Sequence, residues 1–230
     1  MTSLDWSERA RGYVDSDAHR EGADLDLLVA WAAGAGTALD VATGGGHVAH
    51  RLREAGVEVV TCDPAPGMRP DVICRAESLP FADGAFDVVA CRTAAHHFTD
   101  PGAAVREMAR VSSDRVLIVD TVFMGEAIEE AEALRDPSHV RNYTEAEWRG
   151  FLDETGHSVV EVELLSHSFD FAAWLERTGC EGEEAVRVET LLGDRVADGR
   201  LTLDKLVIKA VKGACWRSSS TTTRGSSSRA

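Results

Sequence analysis

The chain has 230 residues, 44% of them hydrophobic and 27% charged, with a formal net charge of −15. That length suits one α/β core, and the acidic balance, with no long Lys/Arg run, argues against nucleic acid, whose phosphates require a basic footprint. It equally disfavours a basic membrane-surface helix, and no apolar run approaches the roughly 18 residues of a spanning segment, so no stable membrane insertion is expected. Cys62, Cys74, Cys91, Cys180 and Cys215 have no C-x-x-C spacing, and three lie in or beside apolar strand segments, where cysteine serves as a small apolar residue. With no basic-then-apolar leader, a cytoplasmic protein is expected.

In chain order, Trp6 to Ala33 reads as two helical pieces. The second repeats Leu25, Leu28, Val29 and Ala32 at helical spacing and should pack on a sheet; the first, with Tyr13, Ser16 and His19, has a less continuous apolar face. Thr37 to Ala42 reads as a buried strand running into Gly44, Gly45 and Gly46, followed by a helix at about 47–55. Further strands are expected at 57–62, 71–74, 86–91 and 115–120, the alternation of a doubly wound sheet. Asp100-Pro101 starts a helix over 101–112, with Asp100 as cap and Pro101 in the first helical position. Thr144 and Glu147 form a capping box for another helix that Gly156 stops. Strands at 158–165 and 203–211 complete the sheet. Segments 122–143 and 167–200 exceed that minimum and are placed to wall an acceptor site; Phe169, Phe171, Trp174 and Leu175 give the later one an aromatic face that serves core or pocket. Residues 214–230 are almost all Ser, Thr, Arg and small side chains, which cannot offset ordering entropy, and are expected to be disordered beyond a domain ending at 213.

The strand–glycine turn–helix opening lets the backbone approach a ligand closely. The next strand ends in Asp63, 23 residues after Asp40, the place of an acid that accepts ribose hydroxyls in a nucleotide-binding βαβ unit. A dinucleotide fingerprint would put its first glycine at Gly44 and its third at Ala49, so an NAD-dependent oxidoreductase remains an alternative on spacing. Asp40 argues against it: an acid opening the turn repels pyrophosphate but suits the cationic amine of S-adenosylmethionine.

Asp40-x-Ala42-x-Gly44-x-Gly46 resembles motif I of the class I S-adenosylmethionine-dependent methyltransferases, with Ala42 in the first glycine position. One methyl group is a small change there if the backbone need not take positive φ. The run from Ala76-Glu77-Ser78-Leu79-Pro80-Phe81 to Phe86-Asp87-Val88-Val89 is similar to a segment of the methyltransferases related to ubiquinone and menaquinone C-methylation. The resemblance implies a Rossmann-like seven-stranded α/β sheet of order 3-2-1-4-5-7-6 with the last strand antiparallel. It also implies S-adenosyl-L-methionine as cofactor, a helical lid over residues 1–35, Met68 against adenine, the Ala76 backbone at the ring edge and Glu77 in the same loop. Arg75 stands where the family often has Asp.

Methyl transfer from a sulfonium is an in-line displacement, so positioning, desolvation and, for some acceptors, proton removal are what a protein supplies. His96 and His97 follow the fourth strand, where the methyl should lie; adjacent side chains diverge, so one faces the site, as a base or as a group that shapes the pocket. His97 is the first candidate and His96 the second. His139 and Arg141 are acceptor ligands or loop-holding groups. No H-E-x-x-H pattern occurs and no metal is expected. No [N/D]-P-P-[Y/F] sequence follows the fourth strand, which disfavours DNA bases and protein glutamine as acceptors. The expected partner is a small-molecule acceptor, possible examples being quinone precursors and phenols; a catalytically silent cofactor-binding protein is the alternative from another class.

Overall fold

The computed structural model describes Ser7 and residues 20–213. The expected first helical piece and the tail at 214–230 lie outside the described residues, and so do most of the lid and all of Cys215. Eight strands form one sheet: β1 (Thr37–Val41), β2 (Glu58–Asp63), β3 (Val72–Ile73), β4 (Phe86–Arg92), β5 (Ser112–Thr121), β6 (His157–Asp170), β7 (Val196–Ala197) and β8 (Arg200–Lys212). Among the described residues the helices are α1 (Ala23–Trp31), α2 (His47–Glu54), α3 (Pro101–Val111), α4 (Glu126–Arg135), α5 (Glu145–Asp153), α6 (Phe171–Glu176) and α7 (Gly182–Leu192).

The strand order is β3-β2-β1-β4-β5-β8-β6, with the two-residue β7 paired to β8. The first five strands run parallel, and β8 is antiparallel to both β5 and β6. This is the expected class I order, with the extra β7 shifting only the numbering. Side chains of β4 alternate between faces: Val89 and Cys91 join α3 and α5 through Val105, Met108, Trp148 and Leu152, while Val88 and Ala90 join α1 and α2 through Leu25, Leu28, Val48 and Leu52. Burying each such leucine contributes about 1.5–3 kcal/mol. The helix starts form as their residues dictate. Asp100 accepts from the Ala103 N–H at 2.8 Å, and Thr144 and Glu147 make the reciprocal capping box.

Two differences from the sequence reading matter. β6 continues to Asp170 and β8 starts at Arg200, so the two pair from His157↔Lys212 to Asp170↔Arg200, whereas β5 reaches only Thr121↔Lys205. Residues 200–204 and their β6 partners therefore overhang the sheet as a ribbon. Its aromatic insert is mainly core: Phe171, Trp174, Val188 and Leu192 pack with Leu201 and Leu203 of the ribbon and Ile128 and Ala131 of α4. Among the described residues no helix is long and apolar enough to cross a membrane.

Candidate active site

β1, β2 and β4 are parallel neighbours in register, Asp40↔Thr61 and Asp40↔Ala90, so their carboxyl ends meet at one edge. A cavity of about 360 Å³ opens there. The sequence candidates Asp40, Ala42, Gly44, Asp63, Met68, Ala76, Glu77 and His97 all line it; Gly46 and His96 do not.

After β1 the chain turns back across the end of β2. The Thr43 N–H donates to the Cys62 carbonyl at 3.0 Å and the Gly46 N–H to the Thr43 carbonyl at 2.9 Å. That turn requires left-handed backbone at Gly44 (φ +51°), at Gly46 (φ +75°), which caps α2, and at Ala42 (φ +53°). The condition under which the Ala42 methyl is a small change, a backbone that need not take positive φ, is therefore not met. Its Cβ sits in a conformation that costs an L-residue about 1–2 kcal/mol. Gly46 contributes through this geometry rather than by lining the cavity.

Both acids are wired into the turn. Asp40 Oδ2 accepts from Thr43 Oγ1 at 2.5 Å and from the Ala49 N–H at 3.1 Å. Burial raises its pKa to about 6 despite those bonds, and Asp63 adds to the rise. Asp63 accepts from the Gly44 N–H at 3.0 Å through Oδ2 and from the Ala65 N–H at 2.9 Å through Oδ1. Burial likewise raises its pKa above the ordinary value. Pro66–Met68 forms a 3-10 turn that carries Met68, and the Gly67 N–H donates to Ser7 Oγ at 2.9 Å. Arg75 donates to Glu77 Oε1 at 3.2 Å and to Thr99 Oγ1 at 3.0 Å, which ties Glu77 across the cavity rim.

Of the two histidines only His97 lines the larger cavity, although their rings lie in contact with centroids 4.1 Å apart. His97 faces the cavity, its Nδ1 3.1 Å from the Ser138 carbonyl and 3.2 Å from Ser138 Oγ. Burial, then His96 beside it, lower its pKa to about 3, so the ring is neutral at ordinary pH. His96 is anchored on β5, with Nδ1 2.6 Å from Asp120 Oδ1 and its backbone N–H donating to Asp120 Oδ2 at 2.9 Å. Burial pushes His96 down, but the Asp120 carboxylate more than offsets this and holds its pKa above the ordinary value.

The insert after β5 is stitched to this turn. The His96 carbonyl accepts from Val140 N–H at 2.8 Å and Arg141 N–H at 3.2 Å. His139 Nε2 lies 3.0 Å from Glu129 Oε2, and Arg141 pairs with Glu147 at 2.8 Å while lying over the Tyr143 ring. These contacts suit loop-holding roles, although His139 also reaches the cavity wall. Glu129, Glu132 and His139 bring three ligand-type atoms within 4.8 Å. Asn142 Nδ2 donates to both carboxylates, so the cluster braces the loop.

Sequence reasoning missed Arg92, Thr93 and Ser138 as cavity walls. A charged residue closing the apolar run Val88-Val89-Ala90-Cys91 was the available signal for Arg92. It is 9% exposed and held bidentately by Asp24, through Nε at 2.9 Å and Nη2 at 3.2 Å. Thr93 takes φ +53°, an outlier for a β-branched residue, with its N–H fixed to the Val119 carbonyl at 2.6 Å.

The family model described as a methyltransferase domain matches residues 39–120, from β1 to β5. The uncharacterized methyltransferase YcgJ of Bacillus subtilis strain 168 is 29% identical over 221 residues, 86% of this chain and 87% of its own length. Its crystal structure covers 83% of this chain and 98% of its own, with a TM-score of 0.74. A proposed methyltransferase from Bacillus halodurans C-125 is 30% identical, with a TM-score of 0.73 over 84% of this chain and 100% of that one. The demethylmenaquinone methyltransferase of Beutenbergia cavernae is 39% identical over 84 residues, 32% of this chain and 35% of its own length.

Proposed function

The chain belongs to the class I S-adenosylmethionine-dependent methyltransferases, and we propose that its acceptor is a small aromatic molecule of the phenol or quinone-precursor class. The observation that carries this reading is one cavity walled on one side by the Gly44 turn and Asp63 and on the other by His97, Phe98 and Ser138. Likeness to demethylmenaquinone methyltransferases supports the acceptor class over the 84 matched residues.

The residues fit the cofactor chemically. A Cβ added at Gly44 would meet no atom within 4 Å, so that side of the turn is open to a ligand. Asp40 is a buried carboxyl whose pKa burial raises to about 6, an effect Arg92 only partly offsets; the amine of the methionine end would favour its ionised form. Asp63 spends one acceptor direction of each oxygen on a backbone N–H and keeps others for ribose hydroxyls. Met68, Ala76 and Glu77 are assigned to the adenine end. S-Adenosylmethionine, when bound, supplies an electrophilic methyl on a sulfonium.

The protein's work is then to hold the acceptor in line and keep water out. His97 faces the acceptor as a neutral ring, fixed by Ser138, and orients it. His96 acts behind it as a positioning residue, anchored on Asp120. The free thiols Cys62, Cys74, Cys91 and Cys180 among the described residues suit a cytoplasmic setting. The test is calorimetry with S-adenosylmethionine and NAD, followed by a labelled-methyl assay across phenols, quinols, amines and cell extract metabolites. NAD binding without S-adenosylmethionine binding would sink the cofactor assignment, and turnover confined to aliphatic amines would sink the acceptor class.

A further inference from the structure

A second, smaller cavity of about 70 Å³ adjoins the first, and Thr93 and His97 belong to the walls of both. Its other walls come from His96, from the paired Thr121 of β5 and Lys205 of β8, and from the two inserts and the ribbon. The protein as a whole is strongly acidic, yet Arg135, Arg177 and Lys205 line this pocket against the single carboxylate Glu132.

Lys205 sharpens the imbalance. It is 5% exposed, and Nζ lies 3.3 Å from Asp24 Oδ2 and 3.5 Å from Thr93 Oγ1. Asp24 already receives Arg92 on both oxygens, so one buried carboxylate serves two buried cations. A buried positive charge is costly unless paired. Burial, followed by Arg92, would depress the Lys205 ammonium further, and Asp24 only partly offsets this. Burial and then Lys205 push His167, on the same wall, down to about 4, so it stays neutral. Its buried Nε2 has no hydrogen-bond partner. Arg135 lies 4.3 Å over the Trp174 ring and donates to the Trp174 carbonyl at 3.1 Å, which fixes its guanidinium at the pocket.

We propose that this pocket is the subsite for an anionic group of the methyl acceptor, a carboxylate or phosphate ester, held by Lys205, Arg135 and Arg177 while the acceptor's ring passes His97 toward the methyl. This rests on the assignment of the larger cavity to cofactor and acceptor. It narrows the acceptor to molecules that carry a negative charge about one ring away from the methylated atom.

The test uses the full chain with S-adenosylhomocysteine present and measures binding of benzoate, benzamide and phenyl phosphate by calorimetry. We expect benzoate or phenyl phosphate to bind at least about 10-fold tighter than benzamide, and Arg177→Gln and Lys205→Met each to remove most of that preference. S-Adenosylhomocysteine affinity should stay within a few-fold in Arg177→Gln, since Arg177 does not line the larger cavity. Preference for benzoate over phenyl phosphate assigns a carboxylate; the reverse assigns a phosphate ester. Equal affinity for benzoate and benzamide, with S-adenosylhomocysteine still bound, overturns the subsite alone, as does an unchanged preference in both variants. Failure of the wild-type chain to bind S-adenosylhomocysteine overturns the larger assignment and the subsite with it.

Discussion

Replacing Asp63 by Ala should separate a ligand role from a scaffold role, because the structure gives this carboxylate both. In the sequence alone a strand-end acid contributes little to the core, and the folded fraction would hardly change. The structure revises this: the change removes the acceptors of the Gly44 and Ala65 N–H groups. Ala65 is fully buried, so its N–H would be stranded, whereas Gly44 lines the cavity and can turn to water. A stranded buried donor costs about 1–3 kcal/mol, and a bond exchanged for water about 0.5–1.5. Against this, burial raises the Asp63 pKa, so its deletion also relieves a desolvation cost. We expect a net loss of about 1–3 kcal/mol in denaturant unfolding, at the lower end of that sum. Loss of charged hydrogen bonds to the ribose should weaken S-adenosylhomocysteine by a further 1.5–3 kcal/mol, or about 10- to 150-fold. Calorimetry on the folded fraction and urea titration read the two effects separately. A folded Asp63→Ala protein with wild-type affinity would refute the ribose assignment, and unchanged unfolding would refute the scaffold role.

Ala42→Gly should relieve the strain at φ +53° and raise stability by about 1 kcal/mol, or about 2–4 °C in Tm; a lower Tm in thermal unfolding would contradict this. Asp40 moves from an ordinary 3.8 to about 6, so the unfolded chain ionises first and this group takes stability away as pH rises through that window. Since the cofactor amine favours the ionised form, affinity should grow from about pH 5 to 7, and Asp40→Asn should flatten the profile in calorimetry. A flat wild-type profile would separate Asp40 from the amine. Because His97 is held neutral, down to about 3, His97→Ala should raise the acceptor KM about 10-fold, with a smaller fall in kcat and no lost acidic limb near neutrality. A fall in kcat beyond about 100-fold would make it a base instead.

The parallel half of the molecule was legible because its signals are local. Asp100-Pro101, the Thr144–Glu147 box and the glycines after β1 each act within a few residues, and their geometry followed. Asp63 was legible as a strand-end acid but not as the acceptor for Gly44, since that bond spans a turn whose shape depends on Ala42 taking positive φ. The pairing of Lys205 with Asp24 joins residues 181 apart, and only the packing of α1 on β8 brings them together. The expected strand limits, 158–165 and 203–211, hid the ribbon because its outer half alternates polar and apolar residues that face solvent on one side and α6 and α7 on the other. Burial, and with it the opposite pKa shifts of His96 and His97, depends on which way each ring turns, which adjacency in sequence does not specify.

The overhanging ribbon gives the chain a division of labour with practical reach. Residues 200–204 pair with β6 and β7 and contribute nothing to the register of β1, β2 and β4, while α6 and α7 pack on α4 and the ribbon through a core of their own. If the smaller pocket holds the acceptor as proposed, selectivity can be rewritten there without moving the glycine turn or the strand-end acids. Grafting this arm between relatives offers a modular route to new acceptors on an unchanged methyl-donor platform, provided that Lys205 and Asp24, which straddle the seam, are exchanged as a pair.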